Sequence, residues 1–137
     1  MERTLCIIKP DAVKNRVQGH IIQKILDGGF DIIGLKLIQL TKEQAESFYA
    51  VHKERQFYKD LVDFMISGPC IPIALEKIDA VEQWRDLIGA TDPAEAANGT
   101  IRKLFAKDKS MNAVHGSDSV ENGRIEIAFF FNESNLI

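Results

Sequence analysis

The sequence has no long apolar run, no basic tail and little cysteine, and each of these absences excludes a class of function. Its apolar stretches fall far short of the ~20 residues that a membrane-spanning helix needs. Met1-Glu2-Arg3-Thr4 leads directly into Leu5-Cys6-Ile7-Ile8, a strand-like run too short for a secretory leader. The expectation is a soluble, cytoplasmic protein with no membrane partner. Only two cysteines, Cys6 and Cys70, occur in 137 residues. They form no CxxC pair and are not grouped with histidine at metal-ligand spacing, so they read as buried free thiols. The net charge of -3 comes with no Lys/Arg cluster, which argues against nucleic acid as the main partner. An anionic ligand would have to be met by a few placed cations rather than by an overall field. The Gly-rich phosphate loops GxxxxGKS/T and GxGxxG are missing as well. There is no repeat, low-complexity tract or linker-like segment, so residues 1–137 read as one domain.

What is present is a globular balance, 45% apolar and 27% charged, enough to bury a core. Thr4 to Ile8 is an apolar run ended by Lys9-Pro10-Asp11 and predicts a buried strand. Ile21, Ile22, Ile25 and Leu26 recur at helical spacing, with Gly28-Gly29 as the stop signal. Asp31 to Leu40 reads as a second strand. Thr41-x-x-Gln44 is a capping box that opens a helix through about Val51. Leu61, Phe64 and Met65 predict another helix, closed by Ser67-Gly68-Pro69. Ile71 to Leu75 reads as a third strand, Asp79 to Ile88 as a helix, and Thr91 to Arg102 as a loop. Met111 to Val114 is expected as a short fourth strand, and a last helix runs from Ser117 through Ile125, Phe129 and Phe130. Without its insertions this order is βαββαβ plus a C-terminal helix. It predicts a ferredoxin-like α+β sandwich with an antiparallel sheet, an inserted helical hairpin and a long loop. A loop of about a dozen residues in a compact domain is usually functional.

The chemistry concentrates in Asn112-Ala113-Val114-His115-Gly116-Ser117-Asp118-Ser119. Gly116 allows a sharp turn or a close approach, and Ser117 or Asp118 is placed to cap the helix that follows. His115 then stands at a strand-helix junction, where a helix N-terminus favours anions. Imidazole is a competent nucleophile near neutral pH.

This octet resembles the active-site signature of the nucleoside diphosphate kinase family, Asn-x-x-His-Gly-Ser-Asp. The resemblance extends along the chain through Ile8-Lys9-Pro10-Asp11, Ser67-Gly68-Pro69 and Gly99-Thr100-Ile101-Arg102. It implies γ-phosphate transfer from a nucleoside triphosphate, typically ATP, to a nucleoside diphosphate by a ping-pong route. His115 is then the nucleophile, phosphorylated on Nδ1. Glu126, three turns into the last helix, holds the other side of the ring, and Ser117 hydrogen-bonds that glutamate. Lys9, Arg85 and Arg102 become the phosphate-neutralising cations, with Tyr49 and Thr91 as hydroxyl donors. Asn112, with Lys9, meets the 3′-hydroxyl, so ribo- and deoxyribonucleotides are both accepted. Phe57 stacks on the base, a contact tolerant of sequence. The resemblance further implies Mg²⁺ on the nucleotide phosphates, with Asp118 contributing at most through water, and a homo-oligomer built from dimers, tetramer or hexamer.

Two positions depart from the family pattern. Gln56 stands where many members have proline, which frees φ there. Lys109 replaces an aliphatic residue beside the base, where its methylene stem could still cover the ring. Two rival readings lack the features they need. A ferredoxin-like RNA-binding module needs exposed aromatics and a basic face, and neither is visible. A non-catalytic member of the family should have lost His115 or a phosphate ligand, and all are present.

Overall fold

The computed structural model describes residues 1–137. Four strands, β1 (Glu2–Ile8), β2 (Asp31–Leu35), β3 (Ile71–Lys77) and β4 (Val114–Gly116), form one sheet in the order β2-β3-β1-β4. Every pairing is antiparallel. That order is the ferredoxin-like topology expected from βαββαβ.

Both faces of the sheet are covered, which explains why β1 is apolar without alternation. Cys6 and Ile8 face a core shared with α2 (Gln18–Asp27) and α5 (Ala80–Ile88), which supply Ile21, Ile25, Trp84 and Ile88. Leu5 and Ile7 face a second core. It is built from α3 (Lys42–Phe48), α4 (Tyr58–Met65) and α7 (Val120–Phe130), through Ala45, Val62, Met65, Ile127 and Phe130.

Several elements differ from their expected bounds. The second strand stops at Leu35 rather than Leu40. Its ladder with β3 carries a bulge between Ile32 and Gly34 and ends where Leu35 pairs Ile73, and beyond it pairing returns only as a single bridge, Ile38 with Cys70. Gly34 packs closely there, since a Cβ would lie 2.9 Å from Leu136 Cδ2 and 3.1 Å from the Phe131 ring, and both side chains would have to shift. The Thr41–Gln44 capping box is formed in both directions, but α3 ends at Phe48 and continues as a 3₁₀ turn, Ala50–His52. Two one-turn helices were unforeseen: α1 (Pro10–Lys14) and α6 (Ile101–Phe105). Five residues are too few to show a helical period. The long loop therefore ends at Thr100, the N-cap of α6, and Arg102 lies inside that helix.

The fourth strand begins at Val114 rather than Met111. Asp108 Oδ1 accepts the N–H groups of Ser110 and Met111, folding that segment into a turn, and Ala113 at φ 72° cannot extend. The last helix begins at Val120, capped by Ser119 rather than by Ser117 or Asp118. Glu126 consequently lies in its second turn, not its third.

Candidate active site

β4 pairs with β1 through Ile7 and His115. Strand alternation then sorts its three residues. Val114 joins the core on the α2/α5 side, so His115 points to the opposite face, where α7 lies. Gly116 returns to the first face against Trp84. A Cβ there would sit 2.9 Å from Trp84 Cδ1 and 3.1 Å from Ile88 Cδ1, so only glycine lets β4 lie this close to α5. Trp84 Nε1 donates to the His115 carbonyl at 3.1 Å, which pins the backbone of the histidine itself.

On α7, Gly123, Glu126, Ile127 and Phe130 share one helical stripe, so Glu126 is carried inward on an otherwise apolar face. Its Oε1 lies 2.8 Å from His115 Nε2 and accepts the Ser117 hydroxyl, also at 2.8 Å. Ser117 is fully buried and in turn accepts the Leu5 N–H of β1 at 3.0 Å. A carboxylate held by a hydroxyl that is held by the central strand leaves the His115–Glu126 pair little freedom. Phe48 adds an edge-on ring contact to His115 at 5.7 Å.

Lys9 follows β1 directly and is buried, with Nζ donating to Asn112 Oδ1 at 2.8 Å. Burial, and then Arg102, bring its pKa down to about 8, with Asp11 opposing. Arg102 is also buried, and its Nη1 and Nη2 donate to the carbonyls of Gly89 and Val114 at 3.1 and 2.9 Å. Its Nε has no partner. Burial and the neighbouring Arg85 lower its pKa to about 10. Two of its five N–H donors are therefore committed to backbone carbonyls.

A cavity of about 490 Å³ lies beside Lys9. It is lined by Phe57, Asp60, Leu61 and Phe64 of the α4 region, and by Thr91, Lys109 and Ser110. Phe57 is half exposed and rests on the His52 ring at 5.4 Å rather than in a core. Lys109, the departure from the family pattern, shares this cavity with Phe57. A hollow of about 530 Å³ between Arg3, α7 and the C-terminal segment holds none of the candidate residues.

The structure thus gathers His115, Glu126 and Ser117 into one cluster and Lys9 and Asn112 into a pair. Arg102 is tied to β4 beside them, and Phe57, Thr91 and Lys109 line the adjoining cavity. Arg85 is exposed and lines a separate surface hollow with Asp118, although it is close enough to Arg102 to affect it. Tyr49 is not presented to the cavity. Its hydroxyl is buried without a partner, and burial, with Cys70 and Glu126 nearby, raises its pKa well above the usual phenol range. Four participants were missed from sequence: Asp11, Phe48, Trp84 and the Leu5 N–H. Trp84, the single tryptophan on an amphipathic helix, carried a signal for core packing, but nothing local marks a bond to the His115 carbonyl.

Groups of three or more His, Cys, Asp or Glu side chains placed to hold a metal ion do not occur. Asp118 is exposed, and its Oδ1 accepts from Asn122 Nδ2 at 2.6 Å. No helix is long and apolar enough to cross a membrane.

Comparison with known proteins places these features in context. The family model described as nucleoside diphosphate kinase matches residues 2–136. A nucleoside diphosphate kinase of Chloroherpeton thalassium is 58% identical over 137 residues, covering 100% of this chain and 97% of that protein. One of Campylobacter jejuni is 58% identical over 136 residues, covering 99% of each. Among solved structures, the Aquifex aeolicus nucleoside diphosphate kinase superposes with a TM-score of 0.97 at 44% identity, covering 99% of both chains. The Halobacterium salinarum enzyme in complex with CDP gives 0.95 at 38% identity, covering 99% of this chain and 91% of that one.

Proposed function

The chain belongs to the nucleoside diphosphate kinase family, and on that premise we propose that it moves phosphate through His115, with the residues gathered around β4 in the roles described below. The protein is a phosphotransferase that passes the terminal phosphate of a nucleoside triphosphate to a nucleoside diphosphate. The observation carrying the assignment to His115 is its bond to a carboxylate that is itself fixed. With Nε2 donating to Glu126, the neutral ring holds its proton there and keeps its lone pair on Nδ1.

In the first half-reaction Nδ1 attacks the γ-phosphorus of the donor. The N–P bond forms, the bond from phosphorus to the β,γ-bridging oxygen breaks, and the nucleoside diphosphate leaves with that electron pair. The ring becomes cationic, and Glu126 stabilises it without accepting its proton. In the second half-reaction a terminal β-phosphate oxygen of the acceptor attacks phosphorus, and the N–P bond breaks back to Nδ1. One histidine serving both nucleotides in turn makes the kinetics ping-pong.

Lys9 and Arg102, and Arg85 from the adjoining surface, answer the phosphate charge. Such transfer needs positioning and charge stabilisation more than covalent help. Asn112 with Lys9 meets the 3′-hydroxyl, so ribose and deoxyribose are both accepted. Phe57 stacks the base within the cavity, Thr91 supplies a hydroxyl at its edge, and Tyr49 is a hydroxyl donor only if its side chain moves. The donor set is cationic and amide, with no carboxylate cage, which fits a Mg²⁺ that would be brought by the nucleotide and would neutralise phosphate charge. Asp118 reaches it through water at most.

The same reading takes residues 1–137 as one domain in a cytoplasmic, dimer-based oligomer. Exposed Leu35 and Leu37, on and just after edge strand β2, are side chains of the kind a second copy would cover. Native mass at working concentration reads the order of assembly.

The experiment is labelling with γ-labelled ATP. The wild type should take label that is lost in acid and stable in base, and His115→Gln should fold and take none. Turnover by a clean His115→Gln preparation would sink the assignment.

A further inference from the structure

Ala113 adopts φ 72°, in the left-handed region that a residue with a Cβ rarely enters. The Val114 N–H donates to the Asn112 carbonyl at 2.8 Å, closing a three-residue turn around it. This is a γ-turn with a positive central φ, a rare and strained form. It stands between Asn112, which holds Lys9 Nζ, and Val114, which opens the strand carrying His115. Every candidate group on this side of the site is therefore aimed by one strained peptide.

Such a conformation persists only where its surroundings over-determine it. Both polar groups of Ala113 are gripped from the segment after β1. The Lys9 N–H donates to the Ala113 carbonyl at 2.9 Å. The Ala113 N–H donates to Asp11 Oδ2 at 3.1 Å, across 102 residues of chain. The second oxygen of Asp11 is buried without a partner. Burial raises the pKa of this carboxyl, while the backbone N–H groups it accepts and the Lys9 charge pull it back. Keeping an incompletely paired carboxyl there costs stability, and the reading above gives it no role in transfer.

We propose that Asp11 is a positioning residue, a clamp that holds the strained Asn112–Val114 turn and through it aligns Asn112, Lys9 and His115 for phosphoryl transfer. The inference rests on His115 as the phosphorylated residue. It differs from a general structural role in one consequence. If Asp11 serves to hold a strained Ala113, removing the strain must remove much of the need for Asp11. Glycine adopts a positive φ at little steric cost, so Ala113→Gly relieves the turn directly.

The test is the single-turnover rate of His115 phosphorylation by ATP, with thermal midpoints measured in parallel. Five proteins are compared: wild type, Asp11→Ala, Asp11→Asn, Ala113→Gly and the Asp11→Ala/Ala113→Gly double variant. Misplacement of reacting groups by about 1 Å can cost roughly 10²-fold, and a loss of that order is expected for Asp11→Ala. Asp11→Asn, which keeps an acceptor oxygen, should lose less. Ala113→Gly alone should change the rate little, and added to Asp11→Ala it should recover roughly ten-fold or more. If Asp11→Ala does not fold, the same pair is read as recovery of a folded, phosphorylatable chain. Recovery on adding glycine supports the clamp, and no recovery overturns it. A wild-type rate in Asp11→Ala overturns it as well. Failure of the wild type to take label on His115 would instead remove the underlying reading, so the two failures are distinguishable.

Discussion

Burial, with Arg102 close by, brings the Lys9 ammonium to about 8, from 10.5 when free in water. As pH rises through about 8, the free protein loses this charge and with it part of its hold on nucleotide phosphates. We expect kcat/KM to fall along an alkaline limb near that value. Bound phosphate favours the charged form, so the limb in kcat should lie at higher pH. Arginine starts from a pKa about two units above lysine's, so it stays charged near pH 8. Lys9→Arg should therefore flatten the limb even if its geometry lowers the maximum, and an unchanged limb would assign the titration elsewhere. Folding linkage has the opposite sign. Between about 8 and 10.5 the unfolded chain binds the Lys9 proton and the folded chain does not, so this group's contribution to stability rises with pH over that window. Denaturation midpoints across it, compared with Lys9→Met, read that slope. In the proposed role, the residue thus trades stability at neutral pH for a charge held at the phosphate site.

At the scale of elements, the site depends on how closely β4 lies against α5. Three residues of strand are a short platform for the proposed nucleophile, and β4 is held by β1 on one edge and by Trp84 beneath. Gly116→Ala places a methyl inside contact distance of Trp84 and Ile88, in a core with no slack. We expect a destabilisation of about 1–3 kcal/mol, with a slower His115 phosphorylation as the bond from Trp84 Nε1 to the His115 carbonyl lengthens. Thermal melts and single-turnover labelling check both parts. A wild-type midpoint and rate would mean that α5 gives way freely and that β4 is not held by this contact. The same scale explains the expected bounds that failed. Ser119 caps α7 because Ser117 is buried beneath it, engaged with Leu5 and Glu126. Capping propensity alone points to Ser117 or Asp118 and cannot single out Ser119 beside them.

Over the whole molecule, the cavity beside Lys9 is assembled from the end of β1, the α4 region, the Thr91 loop and the turn at Lys109 and Ser110. The proposed base and phosphate contacts therefore sit on different parts of the chain, and their loss should be separable. Stacking on one aromatic is worth roughly 1–3 kcal/mol per base with little sequence preference. Phe57→Ala should weaken purine and pyrimidine nucleotides by comparable amounts, with the effect mostly in affinity. Arg102→Ala should reduce the maximal rate of His115 phosphorylation, because it answers charge on the moving group. Single-turnover labelling over a range of ATP gives the two quantities apart. A lowered maximal rate with intact affinity in Phe57→Ala would overturn stacking.

The sequence by itself determined the order of the four strands and the longer helices, the capping box at Thr41, the buried β1 and the octet around His115. These depend on propensity, periodicity and side-chain chemistry within a few residues. It also carried Lys9, Phe57 and Asn112 as candidates, by resemblance. Only the tertiary structure decided that Ser117 braces Glu126 instead of capping α7, that Tyr49 is buried, and that Arg85 stands outside the cavity. The same holds for Ala113, whose left-handed turn no local signal announces, since alanine has no preference for it. The bonds that decide these points join residues far apart in sequence: Leu5 to Ser117 across 112 residues, Lys9 to Asn112 across 103, Asp11 to Ala113 across 102. They exist because β4 lies antiparallel beside β1, which no window of neighbouring residues encodes.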